Sequence, residues 1–282
     1  MYSLTWVMMP QQRKILFKMK KNIPQRDSST ASNKTKSQQP ERIQKLLAQA
    51  GVGSRRQVEK WILDGAIQVN GDVAKLGDKI TTRDIVKLRG KPVKLAGKLE
   101  VDTQVLIYHK PTGEIVSKRD PEGRPSVFKR LPRLKMGRWI AVGRLDLNTQ
   151  GLLMFTNDGE LANKLMHPSQ QIDREYAVRV MGTVTHEMLD RLVNGVELED
   201  GKARFEDVQE SGGEGVNRWF HVVVAEGRNR VVRRLWESQG CKVSRLIRVR
   251  YGTVFLPPGL PAGQHQLLDK KEVQALKSLM TD

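Results

Sequence analysis

Cysteine is almost absent from this sequence. A single one, Cys241, in 282 residues excludes an intrachain disulfide and any CxxC metal site, and it fits a reducing compartment. Histidine is scarce too. The five present show no paired spacing, which argues against a zinc site or a histidine-based active site. No metal and no cofactor is expected. No apolar run approaches the roughly 20 residues that a membrane helix needs, so no membrane partner is expected either. The opening stretch, MYSLTWVMMP, is short, interrupted by Pro10, and without the basic residues that begin a secretory signal. These features together point to the cytoplasm.

Acids are the other shortage. Lys+Arg number 49 against 31 Asp+Glu, a formal net charge of +18. So large an excess points to a polyanionic partner, with solubility alone as the plainer alternative. The imbalance is steepest in residues 1–40, which hold eight Lys/Arg and one acid, Asp27. Such a segment cannot bury enough apolar surface to offset its ordering entropy. We expect a disordered basic tail that attracts nucleic acid non-specifically.

Ordered structure is expected from Glu41. Ile43, Leu46, Leu47 and Ala50 form one apolar helical stripe, with Gly51 as its stop. Ser54-Arg55-Arg56-Gln57 reads as a capping box opening a second helix, whose buried face is Val58, Trp61 and Ile62. A strand over Ala66–Asn70, a tight turn at Asn70-Gly71 and a further strand near Ile85–Leu88 follow. This helix–helix–hairpin, with GVGSRR at its junction, resembles the S4 RNA-binding domain over residues 41–100. The resemblance implies that Arg55 and Arg56 lie on a basic face laid against folded RNA; a solvated surface with an ordinary helix cap is the plainer, less favoured alternative.

A second domain is expected over 101–282. Strands are predicted at Val105–Tyr108, Trp139–Arg144, Gly151–Phe155, Tyr176–Val180 and His221–Val224. Helices are predicted from Asp158-Gly159-Glu160 through Met166, over Val231–Gln239, and around Val273, Leu276 and Met280. Ile247, Val249 and Tyr251 alternate with Arg248 and Arg250, a strand with one basic face. Strands and helices mixed without a strict βαβ rhythm predict an α+β fold with a largely antiparallel, mixed sheet flanked by helices and loops.

The chemistry centres on one acid. Asp146 sits in VGRLDLNTQG, with Gly143, Asn148, Thr149 and Gly151 crowded round it. A loop aspartate can merely cap a turn or pair with Arg144. Yet downstream runs GRNRVVRR, four arginines in eight residues beginning where a strand gives way to a helix, an arrangement suited to anions.

GRLDLNTQGLLMFTNDGE, REYAV and EGRNRVVRRLWE, in this order and with KPTG upstream, resemble the successive motifs of RNA pseudouridine synthases, specifically the RsuA type with an amino-terminal S4 domain. DPEGRPSVFKRLP, SGGEGVNRWF and VSRLIRVRYG bring the chain nearest to the members acting on large-subunit ribosomal RNA. What the resemblance implies is an isomerase that converts one uridine of 23S rRNA, or of its assembly precursor, to pseudouridine (the 2605 type), with no cofactor. It implies Asp146 as nucleophile and Arg144 as the filler of the space left by the flipped nucleotide. Tyr176 would stack on the flipped base and Arg233 would pair with Asp146. Lys110 lies in the first family motif, whose implied role is mainly structural, and is also grouped with Arg55, Arg56, Arg228, Arg230 and Arg234 as an RNA-binding cation. Physical chemistry is compatible: a uridine in folded RNA must be extruded before its glycosidic bond can be reached, and a nucleophilic carboxylate is favoured in its ionised form by a neighbouring guanidinium. Without the resemblance, Tyr176 reads as a core residue, and Arg233 reads equally well as an outward helix charge. Another ribosomal RNA uridine, or a non-catalytic assembly factor, are the alternative functions; a metal-dependent nuclease would need clustered carboxylates. A monomer is expected.

Overall fold

The computed structural model describes residues 39–95, 102–134 and 137–279. The expected basic tail, apart from its last two residues, the end of the first-domain segment and Met280 lie outside them. No helix among the described residues is long and apolar enough to cross a membrane.

The amino-terminal unit opens with β1 (Glu41–Arg42), α1 (Ile43–Gln49) and α2 (Arg55–Leu63). The apolar stripe does what its spacing predicts: Ile43, Leu46, Leu47 and Ala50 are buried against Val58 and Ile62 of α2. Gly51 ends α1 at φ +76°, where a left-handed conformation suits glycine. The Ser54 hydroxyl accepts from the Gln57 N–H at 3.1 Å, capping α2. Short strands β2 (Ile67–Val69), β3 (Asp72–Val73), β4 (Lys79–Ile80), β5 (Val86–Leu88) and β6 (Lys91–Val93) complete it. The sheet order is β3-β2-β5-β6, with β1 and β4 as a separate pair. Asn70 and Gly71 both have positive φ, 53° and 106°, as a primed hairpin turn requires. Ile85 falls outside β5 and is 65% exposed.

The larger unit continues with β7 (Val105–Lys110), β8 (Ile140–Val142), β9 (Gln150–Thr156), α3 (Gly159–Met166), β10 (Arg174–Met181), α4 (His186–Asn194), β11 (Val196–Leu198), β12 (Gly201–Ala203), β13 (Asp207–Glu214), β14 (Asn217–Val224), α5 (Val231–Glu237), β15 (Lys242–Tyr251), β16 (Val254–Phe255), β17 (His265–Leu267) and α6 (Lys270–Ser278). Nine strands form one sheet in the order β13-β14-β10-β15-β9-β7-β17, with β16 on β15 and β8 on β9. Its pairings are antiparallel except one. Strands β9 and β15 run parallel, Gln150 opposite Ile247 and Gly151 opposite Arg248. The α+β expectation holds, and this parallel junction joins the two halves of the sheet.

Apolar packing explains the layers. Trp236 and Leu235 of α5 pack with Phe205, Phe220 and Val222. Leu161 and Leu165 of α3 and Leu276 of α6 cover Leu152, Met154 and Tyr251. A third cluster holds Tyr108, Leu153, Phe155, Trp139 and Leu145. The two units touch. Lys45 of α1 reaches Glu41 at 2.7 Å and Glu160 of α3 at 2.5 Å, and a Cβ on Gly51 would meet the Gly137 Cα at 2.9 Å.

Candidate active site

A cleft of about 1200 Å³ opens along the β9–β15–β10 region, lined among others by Arg144, Asp146, Tyr176, Arg228, Arg230 and Arg248. The loop that brings Asp146 there is held from beneath. Gly143 takes φ +78°, and Leu145 is buried in the apolar cluster round Phe155. Arg144 on one side of that anchor is therefore exposed, and Asp146 on the other is half-buried at the cleft.

The carbonyls of residues 146–149 are all occupied. Lys110 Nζ, fully buried, donates to the carbonyl oxygens of Asp146 at 3.0 Å, Leu147 at 3.4 Å and Thr149 at 2.9 Å, and to that of Pro111 at 3.0 Å. The Gly113 N–H also donates to Leu147 at 2.9 Å. Arg233 Nη2 donates to the Asn148 carbonyl at 3.0 Å, while its Nη1 donates to Val243 of β15 at 2.9 Å. The Asp146 carboxylate itself has no hydrogen bond and no ion pair within 4.0 Å among the described residues. Its backbone is fixed and its side chain is free.

Several sequence expectations need correction. Lys110 is not an RNA-facing cation: it has no exposed surface and serves as an internal clamp. Burial pushes its ammonium down to about 8, with Glu114 and Asp146 pulling it back up. Arg233 makes no direct pair with Asp146, because its guanidinium is spent on two carbonyls and lies behind the cleft wall. It remains within electrostatic range: burial and Arg230 lower its pKa, and Asp146 raises it. Arg228 and Arg234 are bound internally. Arg228 donates to Glu226, Asp200 and the carbonyls of Gly201 and Lys202, and Arg234 forks onto Asp200 at 2.7 and 2.9 Å. Few donors are left for phosphates. The basic face of β15 is present but buried: Arg248 and Arg250 are 2% and 5% exposed, Arg250 paired with Glu175 and Arg248 set in the cleft wall.

Other residues sit where the sequence suggests. Tyr176 is half-buried on β10, at a register shift that leaves it opposite Arg248 while Glu175 lies opposite Arg250. Bulges of this kind re-aim side chains beside functional sites. Arg230 caps α5 at φ +49°, strained for a residue with a Cβ. Its side chain is 45% exposed and meets Glu237 only at 3.6 Å. Arg55 and Arg56 are exposed at the start of α2, away from the cleft lining. Arg174 and Tyr251 also line the cleft; the motifs REYAV and VSRLIRVRYG contain them, but strand alternation does not say which face is buried. No group of three or more His, Cys, Asp or Glu that could hold a metal occurs among the described residues.

Comparison with known proteins agrees with both units. Residues 104–239 match the RNA pseudouridylate synthase family and residues 41–86 match the S4 domain. The ribosomal large subunit pseudouridine synthase B of Pseudomonas aeruginosa is 58% identical over 237 residues, 84% of this chain and 61% of that protein. The protein of the same name from Vibrio cholerae is 56% identical over 241 residues, 85% of this chain and 75% of that one. A crystal structure of a pseudouridylate synthase shares the fold with a TM-score of 0.58 at 24% identity, covering 83% of this chain and 99% of that one. The chain belongs to the RNA pseudouridine synthase family and carries an S4 domain at its amino-terminal side.

Proposed function

We propose that this protein isomerises a uridine of large-subunit ribosomal RNA to pseudouridine, with Asp146 as nucleophile. One observation carries the mechanism: Asp146, Arg144 and Tyr176 converge on a single cleft, and the Asp146 carboxylate there is free of partners while its backbone is clamped. The target nucleotide is extruded from its stack. Tyr176 offers a ring face to the base, and exposed Arg144 fills the space left behind. Attack by Asp146 lets the N1–C1′ bond break; the base rotates, C5 bonds to C1′ as the bond to the Asp146 carboxylate breaks and frees it, and the C5 hydrogen leaves to solvent as a proton while N1 gains one. No hydrolysis takes place and only one proton is exchanged with solvent, so a single carboxylate suffices. Similarity to the synthase B proteins supports large-subunit ribosomal RNA as substrate; the 2605-type uridine of 23S rRNA is the position that the motif resemblance implies. Arg55 and Arg56 of the S4 domain and Arg230 at the cleft mouth contribute phosphate contacts.

Tritium release from RNA labelled at uridine C5 tests this. Release without strand cleavage is expected, and Asp146→Asn should abolish it while RNA affinity stays within about threefold, because one carboxylate facing a polyanion adds nothing to binding. Unchanged release in that variant would refute the nucleophile; absence of release in the wild type on any ribosomal RNA would favour a non-catalytic assembly role.

A further inference from the structure

Two arginines of the cleft wall lack what buried cations ordinarily have. Arg174 and Arg248 are 8% and 2% exposed, and neither guanidinium has a carboxylate within 4.0 Å among the described residues. Their neighbour on β15 shows the contrast: Arg250 pairs with buried Glu175 at 2.8 Å and with Asp173 at 3.6 Å. Arg248 has one hydrogen bond, Nε to the Leu152 carbonyl at 2.8 Å, and its buried Nη2 has no partner at all. Arg174 donates to the carbonyls of Ile172 at 3.1 Å and Ala225 at 2.8 Å, and to the Tyr251 hydroxyl at 3.3 Å.

Both guanidinium carbons lie over the same ring, 5.0 and 5.2 Å from the Tyr251 centroid. That ring cannot drift, because its hydroxyl donates to the Leu165 carbonyl at 2.6 Å. All three residues line the cleft that holds Asp146 and Tyr176. Two like charges held against one fixed ring, without a counter-ion, are costly to bury. An incoming anion would relieve that cost, and the planar guanidinium fork suits the oxygens of a phosphate.

Resting on the reading of this cleft as the site of uridine isomerisation, we propose that Arg174 and Arg248, oriented by Tyr251, form a subsite for a backbone phosphate adjoining the target nucleotide. An extruded nucleotide carries its flanking phosphates towards the cleft with it. The subsite holds the nucleotide by its backbone, so it acts on positioning whichever base is presented.

The test uses the whole protein and large-subunit ribosomal RNA tritiated at uridine C5. Once the releasing uridine is located, RNAs are made with a neutral methylphosphonate at one flanking phosphate at a time. In the wild type, neutralising one of these positions should raise KM by about tenfold or more, the range of a charge-assisted hydrogen bond. Arg248→Gln should raise KM similarly on the natural RNA and then show less than about twofold further loss on that methylphosphonate RNA. Arg248→Lys should recover part of the loss, since it restores the charge without the fork. Additive losses, or no sensitive flanking phosphate, would overturn the subsite. If Arg248→Gln fails to fold, by thermal unfolding, the methylphosphonate series on the unaltered protein decides alone. Failure of the wild type to release tritium would instead overturn the isomerase reading.

Discussion

Lys110 Nζ lies 3.0 Å from the Asp146 carbonyl oxygen, so a buried ammonium grips the backbone of the residue whose carboxylate faces the cleft. The clamped carbonyl and the cleft-facing carboxylate belong to the same residue. A change at Lys110 is therefore felt at the site without any contact to RNA.

Above about pH 8, the value to which burial lowers Lys110, the amine has fewer N–H donors for its surrounding carbonyls, and kcat should fall. Stability should move the other way. The folded chain holds fewer protons on this group than the unfolded chain between about pH 8 and the ordinary lysine value of 10.5. Stability therefore rises with pH across that window, by at most about 1.4 kcal/mol per unit. Urea midpoints of the wild type and Lys110→Met across pH 7–10.5 check the sign. A wild-type gain that is missing in the variant is expected, and equal slopes would refute it.

Gly151→Ala should disable the protein. A Cβ there would stand 2.3 Å from the Arg248 carbonyl oxygen and 2.6 Å from its nitrogen, at φ +108°. The clash is with backbone, so no side chain can move aside. A loss of about 3 kcal/mol or more is expected, with RNA turnover lost in proportion, measured by denaturant unfolding beside tritium release.

Arg233→Gln removes the bridge from Asn148 to Val243. Two carbonyls lose a charged donor, at about 1–3 kcal/mol. Because Arg233 lies behind the cleft wall, kcat should drop by more than KM rises. A pure KM effect would indicate direct RNA contact instead.

Salt dependence separates the arginines of GRNRVVRR. Arg230→Gln should flatten the slope of log K against log salt by about 0.7–1, since that side chain is open to a phosphate. Arg234→Gln should leave the slope unchanged, its guanidinium being engaged by Asp200. Fluorescence anisotropy with ribosomal RNA between low and physiological salt gives both slopes.

Features governed by neighbours within a few residues were legible in the sequence. Ser54 capping α2, the Asn70-Gly71 turn and Asp158 capping α3 are local chemistry, and the motif order identified the cleft loop. Features set by distant partners were not. Lys110 in KPTG reads as a surface lysine, and only β9 and its preceding loop, 36 to 39 positions on, make it internal. Arg228 and Arg234 look like phosphate ligands until Asp200, 28 and 34 positions back, takes their donors. Alternation along β15 grouped Arg248 with Arg250 correctly, but it could not show that this face is buried, with Arg250 on Glu175 and Arg248 in the cleft wall. Helix α4 has no counterpart among the expected elements, although Met188, Leu189 and Leu192 form an apolar face against the Trp236 cluster.

The one parallel pairing has a consequence for how the protein is made. Arg248 bonds to Leu152 across 96 positions of chain, a long loop to close before any contact rewards it. A chain emerging amino-end first completes the module around Ile43 and Val58 early, yet cannot seat Gly151 until β15 has left the exit tunnel. The cleft is thus completed only after β15 has been made, and a product truncated before that strand would carry the amino-terminal module with no finished cleft behind it.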